Sequence, residues 1–147
     1  MTGQPVGKSF DPATFIDRFR NYGHNGALGI RYVDHGGNWV QLALDYDPRL
    51  IGNPETGVLA SGPIFSLMDM ATSMSIWAKT DIFRPQATLD MRVDYLRPAI
   101  PGRTVFGRGE CYRVARQIAF VRGQAHDGDP ADPVANVAAT FMFLDAE

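Results

Sequence analysis

Residues 61–79, with the sequence SGPIFSLMDMATSMSIWAK, form the stretch that decides the fold. The segment is apolar on nearly every side and long enough for about five turns of helix. Ser61 suits the N-cap of such a helix, and Pro63 suits its first turn. Between residues 63 and 78 the only ionisable side chain is Asp69. Because burying an unpaired carboxylate is costly, we expect Asp69 to have a function.

Length, composition and charge limit the class of protein. The chain has 147 residues, 45% of them hydrophobic, which is enough for one domain with a sizeable core. Its net charge of -2 gives no electrostatic reason to expect nucleic acid or an anionic membrane as a partner. Cys111 is the only cysteine, so no internal disulfide forms and a reducing compartment fits. Neither the first ten residues nor the central stretch reads as a signal peptide or membrane span, so we expect a soluble, cytoplasmic protein.

Before the central stretch, the sequence predicts a short helix, two strands and a long loop. After a loose arm over residues 1–10, apolar side chains at helical spacing predict a helix over 12–22. Alternating patterns predict strands over 27–33 and 39–46, joined by a turn rich in Gly, Asp and Asn. The loop over 47–60 contains two Pro and two Gly, and loops of this length are often functional.

After the central stretch, the apolar pattern alternates as in a strand. Over residues 88–96 the apolar side chains, among them Met91 and Tyr95, share one face, and Thr88 lies on the other. Turn residues separate this strand from three more, predicted over residues 104–114, 118–126 and 134–144.

This order of elements predicts the fold class. Short turns between consecutive strands indicate an α+β fold with a mainly antiparallel six-stranded sheet. The central helix is the only predicted element long and apolar enough to cover one face of that sheet. The predicted boundaries are an arm and short helix over residues 1–24, followed by a single domain over 25–147.

Two motifs resemble those of a known family. The order of elements resembles the hotdog fold, and SGPIFSLMDMA (61–71) and TLDMRVDYLRPAIPG (88–102) resemble the phenylacetate-degradation (PaaI-like) acyl-CoA thioesterases of that fold. The resemblance covers about residues 25–145. It implies a curved antiparallel sheet wrapped around the central helix, an acyl-CoA substrate, and sites shared across the two-fold axis of a homodimer. Pairing of dimers into a homotetramer is also expected.

The resemblance assigns candidate residues one by one. It places the family's carboxylate at Asp69, its asparagine at Asn53 and its catalytic-site hydroxyl at Thr88. The family commonly has His-Gly-Gly at the start of the helix. This chain has Ala-Ser-Gly there, with Ala60 in place of the histidine.

Asp69 can act on a thioester in two ways, and the sequence does not choose between them. A partly desolvated carboxylate can serve as a general base towards water or as a nucleophile towards the thioester carbon. The structural alternative is a carboxylate satisfied by the hydroxyls of Ser66, Thr72 and Ser73, which lie three or four residues away on the same face.

Thioester hydrolysis also needs donors for the developing oxyanion, and the helix N-terminus at Ser61 and Gly62 offers backbone N–H groups. Gly62 and Asp69 lie about 10 Å apart along a helix axis, so one thioester carbon does not reach both on one chain. Two antiparallel helices in a homodimer remove the conflict, because Asp69 of one chain then faces Ser61 and Gly62 of the other. We expect Asn53 to orient water or the thioester carbonyl, and Thr88 to hydrogen-bond water or Asp69.

Arginines at or near strand ends are candidates for binding the coenzyme A phosphates, because guanidinium groups suit phosphate recognition. These are Arg97, Arg113, Arg116 and Arg122. Coenzyme A is part of the substrate, and no separate cofactor is expected. The three histidines show no ligand spacing, so no metal site is expected.

Three functions remain open. The first is a thioesterase acting on small or medium acyl-CoA or on aryl-CoA. The second is a non-catalytic acyl-CoA-binding hotdog protein, in which the missing histidine marks lost catalysis. The third is an enoyl-CoA hydratase of the same fold, which usually carries an Asp and His pair near the helix start, whereas no His lies in this segment.

Overall fold

A computed structural model describes residues 9–145 of the chain. Within these residues the central stretch forms one uninterrupted helix, and no helix is long and apolar enough to cross a membrane. In chain order, the elements are α1 (Pro12–Arg18), α2 (Gly23–Leu28), β1 (Arg31–His35), β2 (Trp39–Leu44), a 3₁₀ turn (Pro48–Leu50), β3 (Ile51–Asn53), β4 (Val58–Leu59), α3 (Ser61–Thr80), β5 (Gln86–Tyr95), β6 (Val105–Ala115), β7 (Ile118–His126) and β8 (Ala135–Phe143).

Six strands form one antiparallel sheet with the order β1-β2-β6-β7-β8-β5. The strands β3 and β4 form a separate hairpin inside the predicted long loop, directly before α3. The helix α3 packs mainly against β2, β6 and β7. This is the hotdog fold, so the predicted α+β class, the six-stranded sheet and the single central helix are confirmed.

Two glycines of β6 set how closely α3 approaches the sheet. A Cβ atom added at Gly109 would lie 2.5 Å from backbone atoms of Ala71 and Thr72, and one added at Gly107 would lie 2.8 Å from the Leu67 side chain. Since such distances are too short for real contacts, only residues without a side chain let the helix rest on this strand. The helix side chains with no exposed surface are Leu67, Met68, Ala71, Thr72, Met74, Ser75 and Ile76.

The N-terminal region differs most from the sequence-based expectation. The helix predicted over 12–22 ends at Arg18, and α2 occupies the start of the strand predicted over 27–33. The first strand therefore begins at Arg31. Gly23 and Gly26, whose residue type predicts the end of the helix over 12–22, lie within α2. Glycine composition alone favours a turn, and only packing in the folded chain holds these residues in a helix.

An aromatic cluster attaches the N-terminal segment to the second half of α3. The rings of Phe10 and Phe15 lie 5.4 Å and 5.1 Å from Trp77, and Phe83 packs on the same indole at 4.8 Å. Phe10 is therefore part of the core, although the sequence predicts a loose arm over residues 1–10. Residues 1–8 of that predicted arm lie outside the described residues.

The N-cap of α3 lies one residue earlier than the sequence predicts. Ala60 is the N-cap, with extended backbone and no side-chain capping bond, and Ser61 is the first helical residue. Because no side chain caps the first turn, its backbone N–H groups stay available for another acceptor.

The contact between α3 and β6 predicts a large effect for one added methyl group. Replacing Gly109 by alanine forces the helix and strand apart, and the free energy of unfolding should fall by about 1–3 kcal/mol. Urea unfolding followed by circular dichroism measures this. The matched control is Gly37→Ala, because a Cβ there meets nothing within 4 Å. Equal stability of the two variants would contradict the role of Gly109.

Candidate active site

One side of α3 faces away from the sheet, and the candidate carboxylate lies on it. Gly62, Phe65, Ser66, Asp69 and Ser73 recur at helical spacing and are exposed or half-buried. We call these five residues the α3 stripe. Asp69 is half-buried on this accessible surface. The expectation of a carboxylate enclosed by the core is therefore corrected, because the opposite side of the helix is the one that packs on the central strands of the sheet.

Thr88 on β5 holds the Asp69 carboxylate. The Thr88 hydroxyl Oγ1 donates to Asp69 Oδ1 at 2.8 Å. No other hydrogen bond to the Asp69 side chain is found within residues 9–145. The structure therefore brings together two of the residues that the sequence singled out, from elements that do not adjoin in the chain.

A β-bulge at Leu89 makes this contact possible. The register of β5 against β8 shifts between Thr88 and Asp90. Strict alternation would place Thr88 on the face opposite Met91, as the sequence predicts, but the extra residue puts both side chains towards α3. Leu89, expected beside Met91, is 53% exposed. The side-chain orientation that the sequence predicts is therefore wrong for the part of β5 before the bulge, which includes Thr88.

Two further side chains of β5 bind α3, and the sequence analysis missed both. The Gln86 amide donates to the carbonyl and the hydroxyl of Ser73, each at 2.8 Å. The Tyr95 hydroxyl donates to the Ser61 carbonyl at 3.2 Å. Burial raises the pKa of Tyr95, so its hydroxyl remains a donor at neutral pH. The available signal was the alternation of hydrogen-bonding side chains at Gln86 and Thr88.

The hydroxyl groups of α3 do not bind the Asp69 side chain in the described residues. Thr72 donates to the backbone carbonyls of Met68 and Asp69, at 2.7 Å and 3.2 Å. The Ser73 hydroxyl is bound by β5, and the Ser66 hydroxyl lies 2.8 Å from the His24 ring. The alternative in which these three hydroxyls satisfy Asp69 is therefore wrong.

The other predicted site residues lie at the start of α3. Ser61 and Gly62 are exposed, and a Cβ added at Gly62 would meet nothing within 4 Å. Asn53 is the last residue of β3, directly before the turn of the β3–β4 hairpin, and its side-chain oxygen accepts from the Glu55 N–H at 2.9 Å. Because α3 is continuous, Asp69 lies about 10 Å up the helix axis from Gly62. One chain therefore does not bring these residues together with Asp69.

A cavity of about 430 Å³ adjoins the N-terminus of α3. Its lining is mostly apolar and includes Ser61, Ile64, Tyr95, Leu96 and Val134. A larger cavity of about 610 Å³ lies between α1 and β1 and contains none of the predicted site residues.

Arg97 has carboxylate partners in this structure. Its guanidinium donates to both oxygens of Asp127, at 2.9 Å and 2.7 Å, and lies 3.2 Å from Asp132. The Ile100 N–H also donates to Asp127, whose side chain is 2% exposed. These bonds, led by the one from Arg97, hold the pKa of Asp127 far below its usual range. Arg97 therefore joins the segment after β5 to the β7–β8 connection, and its contacts do not support the predicted phosphate role.

Arg113 and Arg116 lie at the β6–β7 hairpin and are exposed. Among the described residues, no hydrogen bond or ion pair to either guanidinium is found. Arg122, the remaining candidate, is paired with Glu110 at 3.1 Å. In residues 9–145, no group of three or more His, Cys, Asp or Glu side chains is placed to hold a metal ion.

Known proteins share both the sequence pattern and the architecture. The model of a family described as the thioesterase superfamily matches residues 56–134, which is more than half of the chain. The matched segment contains α3 with Asp69 and β5 with Thr88.

Individual relatives cover most of the chain. The medium/long-chain acyl-CoA thioesterase YigI of Salmonella typhimurium is 29% identical over 131 residues, covering 80% of this chain and 83% of the relative. A solved structure from Pseudomonas aeruginosa is 37% identical, with a TM-score of 0.78 and coverage of 90% of this chain and 96% of that one. The PaaI protein of the E. coli phenylacetic acid degradation operon is 16% identical, with a TM-score of 0.76 and coverage of 89% and 91%, a likeness that shows the fold alone.

The buried ion pair of Arg97 predicts a pH-dependent loss of stability. Because the folded-state pKa of Asp127 is depressed, the pair contributes its full stability above the ordinary carboxyl pKa near 4, and this contribution falls progressively as the pH drops from there towards the lower folded-state pKa. Asp127→Asn should lower the free energy of unfolding by about 3 kcal/mol at pH 7. The difference from the parent should shrink towards pH 3 in urea titrations.

The control for this variant is Asp129→Asn. Asp129 is an exposed carboxylate on the same connection, and an asparagine there keeps the acceptor for the Ala131 N–H. A difference between Asp127→Asn and the parent that is the same at pH 3 and pH 7 would contradict the ion-pair explanation.

Proposed function

Because the chain belongs to the thioesterase superfamily and is a thioester hydrolase, we propose that it hydrolyses acyl-CoA with Asp69 as the general base. The observation that carries the proposal is the 2.8 Å contact between Asp69 and Thr88, on an accessible helix face inside the segment that matches the family. The name of the Salmonella relative makes medium- and long-chain acyl groups the first substrates to test.

In the proposed reaction, Asp69 takes a proton from water while the water oxygen bonds to the thioester carbon. The carbonyl oxygen becomes an oxyanion, and its collapse breaks the carbon–sulfur bond. Coenzyme A leaves as the thiolate and takes up the proton. Thr88 holds one carboxylate oxygen, which fixes the orientation of Asp69 and leaves the other oxygen for water. Water, substrate and Asp69 account for every proton and electron pair, so this scheme needs no further cofactor.

The oxyanion donors are proposed to come from a second copy of the chain. The uncapped first turn of α3, at Ser61 and Gly62, is accessible but lies too far from Asp69 of the same chain. An antiparallel partner helix would put Gly62 of one copy opposite Asp69 of the other. Asn53 would then contribute from the Gly62 side, to orient water or the thioester carbonyl.

Surface features favour such a homodimer. Phe65 on the α3 stripe is 40% exposed, although it belongs to a largely apolar helix. In the described residues, β5 pairs only with β8, so its second edge is free. Tyr95 and Leu96, at the end of this edge strand, are 44% and 53% exposed. Large exposed apolar side chains beside a free strand edge are typical of an interface.

The coenzyme A phosphates are proposed to contact Arg113 and Arg116. Both guanidinium groups are exposed at one hairpin, without a carboxylate partner in the described residues. The apolar cavity beside Ser61 would accept the acyl chain or the pantetheine arm, because its walls offer few polar groups.

Substitution of the base tests the reaction. Asp69→Asn should lower kcat for acyl-CoA hydrolysis by about 10²–10⁴-fold, because an amide does not accept the proton from water. A free-thiol assay on an acyl-CoA panel measures the rate. The matched control is Asp90→Asn, an exposed carboxylate on β5, the strand that carries Thr88, which should keep the parent rate.

Two results would change the assignment. If Asp69→Asn hydrolyses as fast as the parent, Asp69 is not the base. An acyl adduct on Asp69, seen by intact-mass spectrometry of quenched reactions, would make it the nucleophile. If the parent cleaves no acyl-CoA but coenzyme A raises its unfolding temperature, the chain is an acyl-CoA-binding protein.

Subunit complementation tests the shared site. Asp69→Asn removes the base, and Gly62→Phe fills the open space before the helix N-terminus, so each homodimer should be inactive. A heterodimer purified through two different tags holds one intact site and one doubly altered site. It should recover about half of the parent activity per dimer. No recovery would place base and donors on one chain, and light scattering separates dimer from tetramer.

A further inference from the structure

Only one residue of the short helix α2, Leu28, packs against the hydrophobic core. The helix has six residues, none of them buried, and no side chain caps its N-terminus. Gly23 begins it with φ 75°, and Gly29 ends it with φ 71°, two left-handed conformations that glycine adopts at low cost. Helices this short are unstable alone, so tertiary contacts must hold α2 in place.

The contact that α2 makes with the α3 stripe is polar. His24 Nε2 lies 2.8 Å from the Ser66 hydroxyl. Leu28, one turn further along the same face of α2, packs against the core. Leu28 thus fixes the helix, and His24 extends from it to the accessible side of α3.

Ser66 belongs to the same accessible face as Asp69. The two residues are three apart in one helix, so their side chains are neighbours, with Cβ atoms about 5–6 Å apart. A water molecule fits between a hydroxyl and a carboxylate at this separation and can bond to both. Ser66 is therefore placed to contact the water that Asp69 activates.

We propose that Ser66 binds the attacking water together with Asp69, and that His24 is the positioning residue that orients the Ser66 hydroxyl. This rests on the proposed function, with Asp69 as the general base. The 2.8 Å contact fits a hydrogen bond in either direction. The proposed role requires Ser66 to be the donor to His24 Nε2, in the tautomer that carries the ring proton on Nδ1. The Ser66 oxygen is then an acceptor towards the cleft.

The donor and acceptor balance explains why such a pair helps the reaction. Thr88 occupies Asp69 Oδ1, so Oδ2 accepts one water proton, and Ser66 accepts the other. With both protons engaged, a lone pair of the water oxygen is directed away from the helix, towards the thioester carbon. Without His24, the Ser66 hydroxyl rotates freely and can donate to the water, which leaves the attacking oxygen less well oriented.

A double-mutant cycle tests the pair. His24→Ala and Ser66→Ala should each lower kcat by about 10-fold with KM changed less than about 2-fold, because the pair orients water and does not bind substrate. The double variant should lose no more than either single variant, since both substitutions remove one device. His24→Gln should keep most of the parent kcat, because its amide oxygen can accept the Ser66 proton.

Controls separate this pair from stability and from the base itself. His35→Ala removes an exposed histidine that bonds to Tyr32, away from α3, and should keep the parent kcat. Thermal unfolding identifies loss of structure, and Ser66→Ala tests the same bond without altering α2. A parent protein that hydrolyses no acyl-CoA would contradict the proposed function. An active parent with a full-rate His24→Ala, or single effects that multiply in the double variant, would overturn the role of the pair alone.

Discussion

The structure depends on the close contact between the backbone of α3 and the strand β6. Gly107 and Gly109 leave no side chain between them and the helix, so α3 rests directly on the strand. That contact turns one side of an almost wholly apolar helix into the core and leaves the opposite side accessible. A single element therefore supplies both the hydrophobic centre of the fold and the surface on which Asp69 lies.

The edge strand β5 fixes the accessible side of the helix. Gln86, Thr88 and Tyr95 each donate a hydrogen bond to α3, at successive levels along its length. Such bonds orient polar groups that would otherwise rotate freely, which is what a general base requires. The bulge at Leu89 disturbs the regular pairing of β5, but it is the feature that directs Thr88 towards Asp69. Local irregularity of the sheet thus serves the candidate site.

One chain holds two incomplete halves of the proposed site at different levels of the same helix. Asp69 lies at one level, and the donors at Gly62 lie at another. In the proposed antiparallel dimer, the midpoint between these levels falls at Phe65 and Ser66. The exposed ring of Phe65 would then lie near the two-fold axis, with Ser66 beside it. An accessible polar stripe and an exposed aromatic side chain are compatible in the proposed dimer, because both would face the second copy.

The sequence alone determined the long helix, the six-stranded sheet, the α+β class and the candidate residue Asp69. Those features follow from local periodicity and residue type, which act over a few neighbouring positions. Thr88 became a candidate only through the resemblance to a known family. Tertiary structure alone decided the β-bulge, the helical state of α2 and the pairing of Arg97 with Asp127. Each depends on partners distant in the chain, such as 30 residues away for Arg97 and 42 for the His24 contact with Ser66. Which face of α3 is accessible was likewise decided by the glycines of β6, because small polar side chains occur on both sides of the helix: Ser66 and Ser73 are accessible, whereas Thr72 and Ser75 are buried.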